Sequence, residues 1–331
     1  MKIKTLASIK ACLIFFGIIT LQAQKLEFVN TPDGKRGLKI ENGDVLIPAR
    51  YDDFHMYQEN MAAVKLDNKW GFVNVMNGTE VIPLKYEDAG DFTDGLAAIK
   101  LNGKWGFIDK AGKEIVAPKY DEAGDITDGA ARVVLDSKWG FVDRTGKEIV
   151  SPKYQRADNF YDGMATVQLN EKWGVVDLTG KEIVPPKYDD AGQFMDGLMR
   201  VLLNGKQMFI DRTGKEIFVS KYDATGDFSE GFAMVSANKK YGFIDKTGKE
   251  ITAVNYDFAA DFSEGLAVVG TGEKYGFIDK TGKEVIPVQF ESIYPMSEES
   301  KQKRYGFNDG KMKVWSGGRA FYIDKTGNEI K

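Results

Sequence analysis

Short stretches of the chain alternate apolar and polar residues with period two, and those stretches return at a fixed interval. In Gly95–Tyr120, GLAAIKLNGKWGFIDKAGKEIVAPKY, the residues Ala97, Ile99 and Leu101 alternate with Leu96, Ala98 and Lys100. Period two marks a strand, because successive side chains point to opposite faces. Further along, Ala165, Val167 and Leu169 are expected to face inward, with Met164, Thr166 and Gln168 facing out. Asn102-Gly103 follows the first strand as a hairpin turn, since both residues tolerate positive φ. Trp105-Gly106-Phe107-Ile108 reads as the return strand, and Asp109-Lys110-Ala111-Gly112 as a second turn in which aspartate caps backbone amides. A third strand, Glu114 to Ala117, ends at Pro118. A loop closes each unit with an acid-glycine pair: Asp94-Gly95, Asp128-Gly129, Asp162-Gly163, Asp196-Gly197, Glu230-Gly231 and Glu264-Gly265. No stretch of useful length shows a helical period. The predicted class is all-β, built from three-stranded meanders.

The meanders repeat every 34 or 35 residues. One column runs Trp70, Trp105, Trp139, Trp173, then Gln207, then Tyr241 and Tyr275; a second runs Tyr51, Tyr86, Tyr120, Tyr154, Tyr188, Tyr222, Tyr256 and Phe290. A fixed period of this length signals units too small to bury their own apolar faces, which stack to do so. Nine third strands against eight first strands do not split a blade neatly between the two ends. A 34-residue unit is also short beside the ~40–45 residues of a propeller blade. An open, twisted repeat array is therefore favoured over a closed propeller-like ring. The organisation reads as a signal peptide (1–23), a partial capping repeat (24–50), β repeats (51–298) and a divergent last repeat (299–331). Residues 37–50 match the later part of a unit without its first strand. The last repeat arrives behind an insertion, Glu299–Asp309, which reads as a surface loop.

The recurring phrase K-W-G-F-[IV]-D-x-x-G-K-E-I-[VI]-x-P-x-Y-D resembles that of the WG-repeat, or KWG, proteins of bacteria, from about Gly37 to the C-terminus. The resemblance implies an extracytoplasmic or surface-associated β-repeat array with a binding or scaffolding role, and it brings no catalytic residues. The chain departs from the phrase at Gln207-Met208, at Tyr241 and Tyr275, and at Ala320.

Lys2, Lys4 and Lys10 lead into an apolar run from Ala11 to Leu21 that ends at the small Ala23, the three-part pattern of a secretory signal peptide. The expected destination is periplasm, cell surface or medium, with no transmembrane segment in the mature chain. Loss of residues 1–23 removes three lysines and the only cysteine, Cys12. That leaves 42 basic against 49 acidic residues and a net charge of −7. A chain so charged, without a basic block, offers nothing to a phosphate backbone, so nucleic acid is not an expected partner.

Candidate chemistry is sparse. One histidine, His55, serves the whole molecule, which disfavours His-based nucleophilic catalysis and His metal sites. Carboxylates are plentiful, but Asp109, Asp143, Asp177, Asp211, Asp245 and Asp279 recur at the same turn of every unit. A catalytic pair needs two unlike environments, whereas a column of equivalent aspartates is what turn capping produces. Neither metal nor cofactor is expected. The lysines Lys69, Lys104, Lys138, Lys172, Lys206, Lys240 and Lys274 are each expected to meet an acid in their own unit. Trp70, Trp105, Trp139, Trp173, Tyr241 and Tyr275 have two readings. They are packing payload between units, or part of the row lies exposed and stacks on sugar rings or peptide side chains. The leading expectation is an exported, non-enzymatic binding or scaffold protein with a protein or glycan partner. The alternatives are a cell-wall or polysaccharide hydrolase using a carboxylate pair, and a structural spacer without a specific ligand.

Overall fold

The computed structural model describes residues 26–41, 43–295 and 305–330. Every regular element among them is a β-strand. The signal-peptide segment, Cys12 and the basic residues Lys301, Lys303 and Arg304 lie outside the described residues. The chain divides into two compact units, one ending at Tyr86 and one beginning at Glu87.

In the first unit β1 (Leu26–Asn30), β2 (Arg36–Ile40) and β3 (Val45–Tyr51) form an antiparallel sheet in that order. β1 is the first strand that residues 37–50 lack. It was illegible because LEFVN carries none of the recurring phrase. The second sheet is β4 (Asp53–Phe54), β5 (Met61–Leu66), β6 (Lys69–Asn74) and β7 (Thr79–Tyr86). Leu38, Ile47 and Tyr51 of the first sheet bury themselves against Phe54, Ala62, Val64 and Val73 of the second. On the opposite face of the first sheet, Lys39 Nζ meets Glu27 Oε2 at 3.0 Å.

The second unit begins with β8 (Asp88–Ala89), β9 (Leu96–Leu101), β10 (Lys104–Asp109) and β11 (Glu114–Tyr120), then β12 (Glu122–Thr127), β13 (Ala130–Leu135), β14 (Lys138–Asp143) and β15 (Glu148–Tyr154). Further sheets occupy 156–188, 190–219, 224–245, 258–290 and 292–330. All have four strands except the one at 224–245, which has three. The loop after a third strand therefore contributes an extra edge strand, often only two residues long, to the sheet that follows, where a meander of three was expected. Only Asp121 separates β11 from β12, so the last strand of one sheet bends directly into the first of the next. No sheet closes into a barrel, and within the unit the repeat array is open.

Within the second unit consecutive sheets meet face to face, with one apolar layer in each gap. Leu96, Ala98, Phe107 and Val116 pack on Ile126, Ala131, Val133 and Val142. The other side of the second of these sheets, through Ala130, Phe141 and Val150, packs on Ala165, Val167 and Val176 of the third. The pattern continues through the remaining gaps. Central strands are consequently buried on both faces: Thr166, expected to face solvent, is 4% exposed. Its hydroxyl donates to Asp158, which satisfies the buried polar group.

The glycine after each tryptophan has a steric cause. On β14 and β15, the four-residue step from Val150 to Tyr154 faces the two-residue step from Phe141 to Trp139, a wide bulge that presses the outer strand inward. A Cβ on Gly140 would lie 2.6 Å from Val150 O and 2.7 Å from Pro152 N. Gln207-Met208 is the instructive exception. There Met208 pairs one-to-one with Val219, and Phe209 with Phe218, so the bulge beside the glycine position is gone. Ser220 stands where three other units have Pro118, Pro152 and Pro186, and its amide donates to Gln207 O at 2.9 Å. Freed of the close approach, Met208 buries its side chain with Met199 and Val201.

The insertion also lies elsewhere than expected. Phe307 is 1% exposed and packs against Phe277 in the layer between the last two sheets, at 5.1 Å between ring centres. Asn308 and Lys311 form the bridge that flanks each acid-glycine turn. Phe307–Asp309 thus belong to the regular repeat, and the extra residues fall before them.

Gly140→Ala should lower stability by about 1–3 kcal/mol or more, because backbone must move to admit one methyl. Gly124→Ala, whose nearest atom is Arg132 O at 3.9 Å, should stay within about 0.5 kcal/mol. Urea unfolding midpoints check both.

Candidate functional site

The aromatic column is distributed one residue per sheet. In the first unit Trp70 is 5% exposed, covered by the His55 ring at 4.5 Å and by Lys65 Nζ at 5.6 Å from its centre. In the second unit Trp105, Trp139, Trp173, Tyr241 and Tyr275 are all half-buried. Trp105 leans on the layer beside Ile115, Ala123 and Leu135, and Trp139 on the layer beside Ile149 and Leu169. Cations lie over the rings: Lys100 Nζ is 5.8 Å from the centre of Trp105, and Arg132 Cζ is 5.1 Å from that of Trp139. Tyr275 meets Phe258 edge to face at 5.4 Å. Among the described residues, no ring contact joins two members of the column. In the second unit each keeps part of its side chain exposed.

Three polar columns, not apparent from the sequence, fasten each sheet to the next. In the first, Tyr120 Oη donates to Glu148 Oε1 at 2.8 Å, and Lys119 Nζ reaches the same oxygen at 2.9 Å. Tyr154 and Lys153 repeat this on Glu182, as do Tyr188 and Lys187 on Glu216 at longer distances. Lys119, with help from Tyr120, holds the Glu148 carboxyl below its ordinary value. Burial, aided by Glu148, pushes the Tyr120 phenol up to about 12. In the second column Asp121, at the bend between sheets, takes Lys104 Nζ at 2.5 Å and the Asp136 amide at 2.8 Å. Asp189 and Asp257 do the same with Lys172 and Asn204, and with Lys240 and Gly272. These lysines do meet acids within their own unit, and each acid also holds the next hairpin.

The third column is the acid-glycine turn. Asp128 and Gly129 have φ of 54° and 81°, the left-handed pair of a type I′ turn. The Asp128 carboxylate accepts the amide of Gly163, and Asp196 accepts that of Gly231. Glu230 and Glu264 accept the amides of Gly265 and Gly310 at 2.8 and 3.0 Å. Lys246, Lys280 and Lys325 then pair with Asp196, Glu230 and Glu264 at 2.8–3.1 Å. Sequence separations of 15 to 61 residues carry these contacts. A reader of the sequence could find them only by asking which charges are offset by a whole repeat.

The aspartates of the other turn are used within it. Asp211 Oδ1 accepts the amides of Thr213 and Lys215 and the Thr213 hydroxyl, at 2.6–3.1 Å. Chiefly that hydroxyl holds its carboxyl below the usual range. Asp143, Asp177, Asp245 and Asp279 make the same three bonds. Among the described residues, no group of three or more His, Cys, Asp or Glu is placed to hold a metal ion. Among the described residues there is no helix long and apolar enough to cross a membrane, which says nothing of β-barrels.

Replacing Glu148 by Gln should cost about 1 kcal/mol or less at neutral pH, as a partly exposed ion pair does. A carboxyl lowered from 4.5 stabilises above that pH and loses its contribution as pH falls through the folded-state value. The gap between wild type and Glu148→Gln in thermal melts should therefore be full above pH 4.5 and narrow progressively as the pH falls below it.

The model of the WG containing repeat matches residues 41–70, 70–105, 105–139, 139–173, 173–206, 208–241, 241–275 and 275–299, and skips Gln207. No curated protein matches the chain. Solved structures similar to it include a eukaryotic initiation factor, at 9% identity and TM-score 0.42, covering 93% of this chain and 95% of that one. Hsv2 of Kluyveromyces lactis is similar at 10% identity and TM-score 0.33, with 70% and 93% covered. PorZ of Porphyromonas gingivalis is similar at 12% and 0.27, with 91% and 51% covered. At these scores the three carry no argument about this chain.

Proposed function

Because this chain belongs to the WG containing repeat family, we propose that it is an exported, non-enzymatic binding or scaffold protein that presents a repetitive β surface to a protein or glycan partner. The observation that carries the reading is the row of half-buried Trp105, Trp139 and Trp173, one on each of three successive sheets. An aromatic face with a cation above it offers stacking and polar contact together, and a repeated spacing lets weak contacts add. Export rests on the pattern of residues 1–23. A non-enzymatic role is supported by the uniform use of the turn aspartates, since no carboxylate among them stands apart from its equivalents.

Trp105→Ala, Trp139→Ala and Trp173→Ala should each weaken capture of envelope glycan or protein, while Trp→Tyr, native at 241 and 275, should keep both fold and capture. Each Ala variant should also cost about 2 kcal/mol, since the rings pack as well as present a face. If melting temperatures fall while capture on a glycan panel and on envelope extract is unchanged, the row is packing alone. Mass spectrometry of the protein recovered from the envelope fraction should find Gln24 as the first residue. A first residue at Met1 would contradict signal cleavage.

A further inference from the structure

The outward face of the last sheet, 292–330, is built unlike its counterparts. In the preceding sheet Val268 pairs with Phe277, and both lie with Leu266 in the apolar layer toward the next sheet. At the same register positions the last sheet carries Lys313, Tyr322 and Lys311. Lys313 Nζ stands 4.8 Å from the ring centre of Tyr294, and Lys311 Nζ stands 5.8 Å from that of Tyr322, which is 45% exposed. Together with Gly306 and Asn308 these four side chains line a concavity of about 240 Å³.

Two described acids near this face are engaged elsewhere. Asp324, opposite Lys311 in register, spends its carboxylate on the Thr326 amide and hydroxyl and on the Asn328 amide, at 2.6–3.0 Å. Glu264 takes Lys325 and the Gly310 amide, each at 3.0 Å. Among the described residues, neither Lys311 nor Lys313 forms an ion pair. A face that only had to end the array would need no such excess of one sign. In the first unit, the face behind the layer between sheets is closed instead by the neutral pair Lys39–Glu27.

We propose that this face binds a carboxylate-bearing sugar residue of an acidic glycan. Two ammonium groups that form no ion pair among the described residues are complementary to a carboxylate. Two tyrosine faces offer stacking area to the C–H face of a pyranose ring, and Asn308 offers an amide to its hydroxyls. The volume lies below the ~300–1,000 Å³ of pockets that enclose drug-sized ligands, so it suits one ring of a chain that runs on into solvent. The inference rests on the binding role proposed above but not on the tryptophan row.

The test is calorimetric titration of the intact protein with a hexuronate oligosaccharide, a neutral glucose oligosaccharide of equal length, and poly-glutamate. Binding of the hexuronate alone is expected. It should weaken about tenfold or more in Lys311→Glu, Lys313→Glu and Tyr322→Ala, and also weaken with added salt. Lys313→Arg should retain it, and all four variants should keep the cooperative melt of the wild type, with Tyr322, 45% exposed, lowering the melting temperature by a few degrees at most when cut to Ala. Binding of poly-glutamate as tight as that of the hexuronate overturns the proposal, as does equal binding of the neutral oligosaccharide. Indifference of hexuronate binding to all three disruptive variants, or no binding at millimolar concentration, overturns it too. Loss of envelope capture in the tryptophan variants with hexuronate binding intact, or the reverse, shows which of the two readings has failed.

Discussion

Each sheet of the second unit that lies between two others is buried on both faces, and its neighbours supply the burial. β13 illustrates the constraint: Ala131 and Val133 point into one apolar layer while Ala130 points into the other. A four-stranded sheet of some 34 residues cannot form a core alone, because a two-layer minimum is needed to exclude water. Stability must then arise as a sum of small sheets and the interfaces between them. The polar columns follow from the same constraint. Tyr120 with Glu148, Asp121 with the Asp136 amide, and Asp128 with the Gly163 amide each span one gap. They fix how adjacent sheets sit, while the apolar layers supply most of the energy.

Much of this was legible in the residues. The period, the strand-turn-strand reading of each unit and the capping aspartates all follow from local chemistry that repeats. What escaped has physical causes. The fourth strand is as short as Asp88–Ala89, too brief for alternation to show. β1 shares no spelling with the other first strands. Thr166 looked outward because alternation predicts two faces but cannot say that both are covered. Gln207-Met208 became intelligible only once the bulge beside every other Trp-Gly glycine was seen to be absent there. The insertion was misplaced because Phe307 was not recognised as the partner of Phe262, its equivalent three residues before the acid-glycine turn's glycine.

The same regularity directs attention to where it breaks. Columns that serve the architecture are uniform, so a residue that departs without a packing reason is a candidate for selection by something outside the chain. The Gln207-Met208 break has a packing reason. Lys311, Lys313 and Tyr322 end an apolar face, which a mixture of charges would do as well, and they do so with one sign only. The tryptophan row is intermediate. Trp70 is covered, whereas its equivalents in the second unit keep part of the side chain exposed.

The account stands on neighbouring sheets being interchangeable donors of an apolar wall. Deletion of Asp121–Tyr188, joining Tyr120 to Asp189, removes two whole repeats and brings the 88–120 sheet against the 190–219 sheet. Urea unfolding followed by circular dichroism should show a cooperative β protein whose m-value falls in proportion to the surface removed. A shortened chain that aggregates, or that unfolds without a cooperative transition, would contradict it.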